Sequence, residues 1–342
     1  MDQPRKNPGF CSRLPRPLAR AVGATQRVFG RKLSSRRYFL LSVAIGFGLL
    51  FLISALGIWS VFFDELFGYQ ILYRYQEEKT RELEGVETVF VGDSSMGNSI
   101  DAELFSELAG TKSANLALTG LYGYAGAYNM LKKMEGNPVR TVVVMSTLDT
   151  FSRESSFGGY LLTASGIPDL QELKGGERSR SLAAFYDMIL SSGNFKATIR
   201  SLLGFGKRRF EIVSDYVEQG DPIDPREYPG LTLSQIIDDK PRFLLKLLAY
   251  CKARNIRVIH AHGPIYEGMA RASDDYTAEV NRRLEETGVI NVPDITVIPL
   301  KKIGDSADHV APEFKQEYTR HYVELLAPHL RRPGDEPRSN AD

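Results

Sequence analysis

Two short stretches, far apart in the chain, carry side chains that could act together on an ester. The first, VFVGDSSMGNSID from Val89 to Asp101, ends a run of β-formers at Gly92 and follows it with an acid and two serines. A serine at such a place either attacks a substrate or caps a helix, a position that Ser and Asp favour. As a nucleophile it needs a base within hydrogen-bond reach, because a hydroxyl alone is weak. The second stretch offers that base. The chain has five histidines, and His309 lies in the loop KIGDSADHVAPEF between the last strand-like run and the last helix. Asp305 and Asp308 stand beside it, and a carboxylate that holds the imidazole would complete a Ser-His-Asp triad. If the loop makes one helical turn, Asp305 and His309 share a face. That spacing favours Asp305 as the orienting acid, with Asp308 as the alternative. The other histidines have blander readings. His321 and His329 fall at helical positions. His260 and His262 alternate on a strand and face one side, where they line a pocket or satisfy backbone groups. No Cys, Asp or Glu pattern beside them completes a zinc site, so neither a metal nor any other cofactor is expected.

These groups must be positioned by a scaffold, and the scaffold reads as α/β. Strand-like runs are expected at Thr88–Val91, Ala114–Ala117, Thr141–Met145, Arg257–Ala261 and Ile295–Pro299. Helical patterns fall at Ala102–Leu108, Tyr122–Met134, Leu233–Arg254, Asp274–Glu286 and Pro312–Leu330. Such alternation argues a parallel sheet with helices on both faces, and runs such as TVVVM suit strands covered on both sides. Ligands in such sheets bind beyond the carboxyl ends of the strands. Ser94 follows the first strand, so its oxygen and the free N–H groups of the next helix would meet a reacting carbonyl there. The section 151–230, with SRESSFGGY, KGGERSRS and GDPIDPREYPG, interrupts the alternation. It is an insertion that either covers the site or makes a surface excursion.

Upstream, the chain changes character. Ten Lys/Arg lie between Arg5 and Arg37, and Asp2 is the only acid before Asp64. From Tyr38 to Phe63 no residue is charged, which is long enough for a spanning helix of about 20 residues. The basic arm before it sets the N-terminus in the cytoplasm and the C-terminal bulk outside. A cleaved signal is the competing reading, but its apolar core is shorter, about 7–15 residues. The expected organisation is a basic cytoplasmic arm at 1–37, an anchor at 38–63, a helical stalk at 64–86, the α/β domain at 87–330 and a disordered tail at 331–342. The net charge of +1 gives no reason to expect nucleic acid as a partner. Two cysteines, Cys11 and Cys251, make a disulfide framework improbable.

The blocks and their order resemble the SGNH, or GDSL-type, hydrolases. In that family a Gly-Asp-Ser block follows the first strand, a block with a glycine follows the second, and an Asp-x-x-His block precedes the last helix. Here these positions read VGDSS, NLALTG and ADHVAPEFKQEY. The resemblance covers roughly residues 87–330. It implies an SGNH, flavodoxin-like, three-layer α/β/α fold, here preceded by one transmembrane helix. It also implies Ser94 as nucleophile, His309 as base, and the N–H groups of Ser94 and Gly120 as oxyanion donors. The chain departs from the family's pattern twice. The third block, MSTLDTF from Met145 to Phe151, has no asparagine for the oxyanion hole, so either Thr147 or Ser146 donates instead or the hole rests on backbone N–H groups. The position three before the histidine is Ser306, with acids at Asp305 and Asp308 instead.

Membrane-anchored relatives of this shape decorate surface polymers, as in alginate O-acetylation and teichoic-acid D-alanylation, beside a multi-pass membrane acyltransferase. The resemblance therefore implies an extracytoplasmic O-acyltransferase or esterase of the inner membrane, with the lipid bilayer, such an acyltransferase and a cell-envelope glycan as partners. The alternative is a catalytically inactive SGNH-like module that binds a glycan or a partner protein in envelope assembly.

Overall fold

The computed structural model describes residues 35–55, 68–153, 157–164, 171–190, 212–213, 216–217, 224, 228–237 and 241–330. The chain forms two compact units, Met1–Phe62 and Phe63–Asp342. In the first, helix α1 spans Ser35–Ala55 and carries no charge from Tyr38 onward. Its side chains are described over 39–49, where Phe39 is 65 % and Phe47 is 70 % exposed. Among the described residues no helix is long and apolar enough to cross a membrane. The rest of the expected anchor, 56–63, the arm up to residue 34, and the tail from 331 lie outside the described residues.

The second unit opens with α2 (Gly68–Glu82), followed by β1 (Thr88–Gly92), the single turn α3 (Ser94–Gly97), α4 (Ala102–Ala109) and β2 (Ser113–Ala117). Then come α5 (Gly123–Lys132), β3 (Thr141–Ser146), α6 (Phe157–Thr163), α7 (Gly176–Leu190) and the two-residue strands β4 (Ile212–Val213) and β5 (Tyr216–Val217). The chain continues through α8 (Pro241–Ala253), β6 (Arg257–His262), β7 (Ile265–Tyr266), α9 (Glu267–Arg271), α10 (Asp274–Glu286), β8 (Ile290–Val292), β9 (Val297–Ile298) and α11 (Lys315–Leu330).

Five strands form one parallel sheet in the order β2-β1-β3-β6-β8. The period-two geometry of strands splits their side chains between two cores. Val89, Val91, Val142 and Val144 meet α5, α8 and α10 on one face. Phe90, Val143, Met145, Ile259 and Ala261 meet α4 and α11 on the other. With both faces covered, β1 and β3 are buried along their whole length, which is why they read as unbroken apolar runs. The sequence moves from β1 to β2 on one side and then to β3 on the other. Such a reversal opens a crevice at the carboxyl ends of the strands.

Three expectations are corrected. The run Ile295–Pro299 does not supply the fifth strand of the main sheet. That place belongs to Ile290–Val292, and Val297–Ile298 pairs instead with Ile265–Tyr266. Pro293 follows β8 directly and has no N–H to extend the ladder. The long helix expected over Leu233–Arg254 is a 3-10 turn at Leu233–Gln235, closed by a Thr232–Gln235 capping box, and a separate helix α8 opening on Pro241. Proline suits a first helical position, where its missing N–H costs nothing.

The helix expected as a stalk is also part of the domain. Leu72, Tyr73, Gln76 and Thr80 of α2 are buried. Gln76 Nε2 donates to Ala117 O (3.1 Å) and Lys79 Nζ to Asn115 O (3.1 Å). These bonds occupy carbonyls of β2, the edge strand, which would otherwise invite pairing with another chain. They also show that α2 runs antiparallel to β2, so it starts at the carboxyl edge of the sheet. The described parts of the 151–230 insertion likewise join the core: Tyr160 and Leu173 are buried, Asn129 Nδ2 donates to Tyr160 O (3.1 Å) and Tyr128 OH to Glu172 (2.8 Å).

Candidate active site

The site begins where β1 and β3 end side by side. A Cβ on Gly92 would overlap the carbonyl oxygen of Met145, so only glycine lets the two strands stay this close. Asp93 follows, fully inside, and its carboxylate ties the two loops together. It accepts the Ser95 amide (3.1 Å), the Ser95 hydroxyl (2.6 Å) and the Thr147 amide (2.8 Å). Burial pushes the Asp93 carboxyl up, opposed by the Arg153 guanidinium.

The two serines are thereby separated. Ser95 is fully buried, gives its hydroxyl to Asp93, and has Gly263 packed where a larger residue would strike its Oγ. Ser94 is 8 % exposed, and its hydroxyl has no hydrogen-bond partner among the described residues. The helix that follows is one turn only, with Asn98 Nδ2 bonded to Ser94 O (3.0 Å).

His309 lies in a closed loop at the same end of the sheet. An antiparallel bridge joins Ile303 to Val310, Gly304 N donates to His309 O (2.7 Å), and the Tyr266 amide donates to Ala307 O (2.6 Å). Within this loop His309 Nδ1 lies 2.7 Å from Asp305 Oδ1, the geometry that the spacing of four residues suggests. Asp308 takes the other side, its Oδ1 3.7 Å from Nε2, and it accepts the Ser306 hydroxyl. Burial of His309 opposes its charge, but Asp308, Asp305 and the more distant Asp93 outweigh it and raise its pKa above the ordinary value. The influence of Asp93 puts the ring within electrostatic reach of the turn that bears Ser94.

Gly120 lies on the loop after β2, held to β1 by Leu118 N→Gly92 O (3.0 Å). Its N–H and that of Ser94 donate to no protein acceptor among the described residues. Thr147 is placed differently. Its amide serves Asp93, which fixes it on the far side of the β1–β3 seam. The Ser146 hydroxyl lies 3.4 Å from Tyr124 OH.

One residue of the cluster has no counterpart in the sequence reading. Arg153, just after the 3-10 turn Leu148–Ser152, reaches both oxygens of Asp149 from Nη2 (2.8 and 2.9 Å). The same nitrogen is 3.9 Å from Asp308 Oδ2. Its Nη1 lies against Gly120, where any Cβ would collide with it. Its local signal is the spacing of four from Asp149; its other neighbours, Gly120 and Asp308, come from two further loops.

His260 and His262 lie deeper. Tyr124 OH is 3.0 Å from His260 Nε2, and Asn281 Oδ1 is 2.8 Å from His262 Nε2. Burial lowers both pKa values and keeps the rings neutral. Both are buried, so they satisfy side chains within the core. Tyr122, Tyr124 and Tyr128 are buried too, which makes them packing residues.

No protein-family model matches the chain, and no curated protein does. Among solved structures it is similar to a protein from Desulfitobacterium hafniense DCB-2 described as lipolytic and of the G-D-S-L family. The identity is 9 % over 70 % of this chain and 99 % of that one, with a TM-score of 0.34. It is also similar to an acetyl xylan esterase from the rumen bacterium Butyrivibrio proteoclasticus, at 8 % identity, 72 % and 65 % coverage and a TM-score of 0.30. A third is a carbohydrate esterase whose active site displays divergent catalytic and non-catalytic binding functions, at 10 % identity, 74 % and 67 % coverage and a TM-score of 0.35. At these values the functional reading rests on the geometry of the site itself.

Proposed function

We propose that the chain is a membrane-anchored, extracytoplasmic serine enzyme that cleaves or transfers acyl esters on a cell-envelope polysaccharide. The observation that carries this reading is the Asp305–His309 pair, bonded at 2.7 Å, at the sheet edge where Ser94 keeps an uncommitted hydroxyl. In the reaction His309 Nε2 takes the proton as Ser94 Oγ bonds to the ester carbonyl carbon. Asp305 holds Nδ1–H and stabilises the imidazolium. The N–H groups of Ser94 and Gly120 face the oxyanion. Collapse expels the alcohol, which takes the proton from His309 and leaves an acyl-serine. Water then gives an esterase, and a sugar hydroxyl gives an O-acyltransferase. The charge-free stretch of α1 from Tyr38 onward, with its exposed apolar side chains, and the basic residues before it support anchoring in the inner membrane. A lipid bilayer, a glycan acceptor and a multi-pass acyltransferase complete the partners of this reading.

One observation favours a second reading, an inactive module that binds a glycan or protein. Asp308 already faces Nε2 of His309, the nitrogen that must accept the proton. A serine-reactive fluorophosphonate separates the two. The enzyme reading expects labelling of the wild type and none of Ser94→Ala. A folded wild type that neither labels nor turns over 4-nitrophenyl acetate sinks it and leaves the binding module.

A further inference from the structure

The third block lacks the asparagine that the resemblance leads one to expect on the oxyanion side, and an arginine stands against Gly120 there. We propose that Arg153 is a catalytic residue, its guanidinium donating to the oxyanion next to the Gly120 N–H. The inference rests on the serine-acyl reading and adds the residue that completes its electrostatics.

Five observations carry it. The Ser146 hydroxyl, which could have replaced an asparagine, lies within reach of Tyr124. The Thr147 amide is held by Asp93. Arg153 is fixed rather than loose, because Nη2 is gripped by Asp149 at 2.8 and 2.9 Å. That grip leaves Nη1 directed along the bare face of Gly120, and glycine there is what makes room for it. The guanidinium also bridges the two halves of the site, with Nη2 3.9 Å from Asp308, the neighbour of His309. A planar, permanently charged fork presents several N–H groups at once, and charged donors make hydrogen bonds about twice as strong as neutral ones. The side chain remains 38 % exposed, so a substrate can reach it. During attack the carbonyl oxygen gains the electron pair of the breaking π bond, and Nη1–H meets that charge without giving up its proton.

The bland alternative is that Arg153 only neutralises Asp149 and Asp308. Steady-state hydrolysis of 4-nitrophenyl acetate by the full chain in detergent tells the two apart. Loss of one oxyanion donor lowers the rate by about 10²–10³-fold. Arg153→Ala is therefore expected to lower kcat by about that factor with KM within about threefold. Arg153→Lys recovers only part of kcat, since an ammonium cannot copy the fork. The double variant Arg153→Ala/Asp149→Asn removes the nearer of the two charges that a neutraliser would serve, and the proposal expects its kcat to stay as low as that of Arg153→Ala. If the alanine variant does not fold, the lysine variant alone carries the test of kcat against KM. Unchanged kcat in a folded variant, a change in KM alone, or restoration of kcat by Asp149→Asn overturns the proposal. In those cases fluorophosphonate labelling of wild-type Ser94 shows that the serine reading survives. A wild type that neither labels nor turns over removes both.

Discussion

His309 is held between two carboxylates that do different things to it, and pH separates them. Its pKa lies above the ordinary 6.5, with burial opposing the shift and Asp308 and Asp305 driving it. A general base must be neutral, so the acid limb of kcat/KM falls above pH 6.5 in the wild type. Asp305→Asn removes the partner of Nδ1. The limb moves toward acid, and kcat drops by about 10²–10⁴-fold, the range that acid–base assistance supplies. Asp308→Asn also moves the limb toward acid but preserves kcat, because it clears the Nε2 side and leaves the Nδ1 bond intact. A pH–rate profile of the three proteins checks this, and equal loss of kcat in both variants would contradict the assignment of Asp305. The same shift has a sign for stability. A histidine whose folded pKa is raised stabilises the fold fully below its unfolded value near 6.5, and that contribution disappears as pH rises through the folded value. His309→Gln should therefore flatten the gain in thermal stability that the wild type shows on acidification toward pH 6.5.

Strands β1 and β3 approach so closely because Gly92 has no side chain, and the site depends on that approach. Gly92→Ala sets a methyl against the Met145 carbonyl, a backbone group that cannot swing away. Overpacking of this kind costs about 1–3 kcal/mol, readable as a lowered midpoint in urea. Activity should fall with it, since the Asp93–Thr147 bond (2.8 Å) spans the same seam. Elements also show what the sequence discloses and what it withholds. The strands at 88, 113, 141 and 257 were legible to within a residue or so, because burial on both faces writes an unbroken apolar run. The fifth was not. Ile295–Pro299 reads more strongly as a strand than Ile290–Val292, yet pairing is decided by neighbours and by Pro293 rather than by propensity. The site divides in the same way. Ser94 at a strand end and His309 before the last helix sit where local sequence puts them. The commitment of the Thr147 amide to Asp93 and the lodging of Arg153 on Gly120 arise only when three loops converge, and no local pattern encodes that.

At the scale of the molecule, the chain carries two surfaces that water does not suit equally. Helix α1 exposes Phe39, Leu40, Ile45, Phe47 and Leu49, a contiguous apolar surface of the kind that a bilayer or a partner covers. The α/β unit has two filled cores and an edge strand already protected, and α2 supplies that protection. The boundary that matters for dissecting the protein therefore lies before Gly68 and not at residue 87. A fragment of residues 68–342 keeps Leu72 and Tyr73 in the core and Gln76 on Ala117 O. It should be soluble, monomeric and labelled at Ser94 by the fluorophosphonate. A fragment of residues 87–342 uncovers the carbonyls of β2 and the apolar seat of α2, and it should aggregate, as unprotected sheet edges do. The full chain should sediment with membranes and resist release by carbonate. In the proposed arrangement, with the basic arm in the cytoplasm, protease added outside intact spheroplasts should remove the α/β unit. Protection of that unit, or a full chain that stays soluble without detergent, would reject the anchored, outward-facing arrangement while leaving the chemistry of the 68–342 fragment open to direct assay.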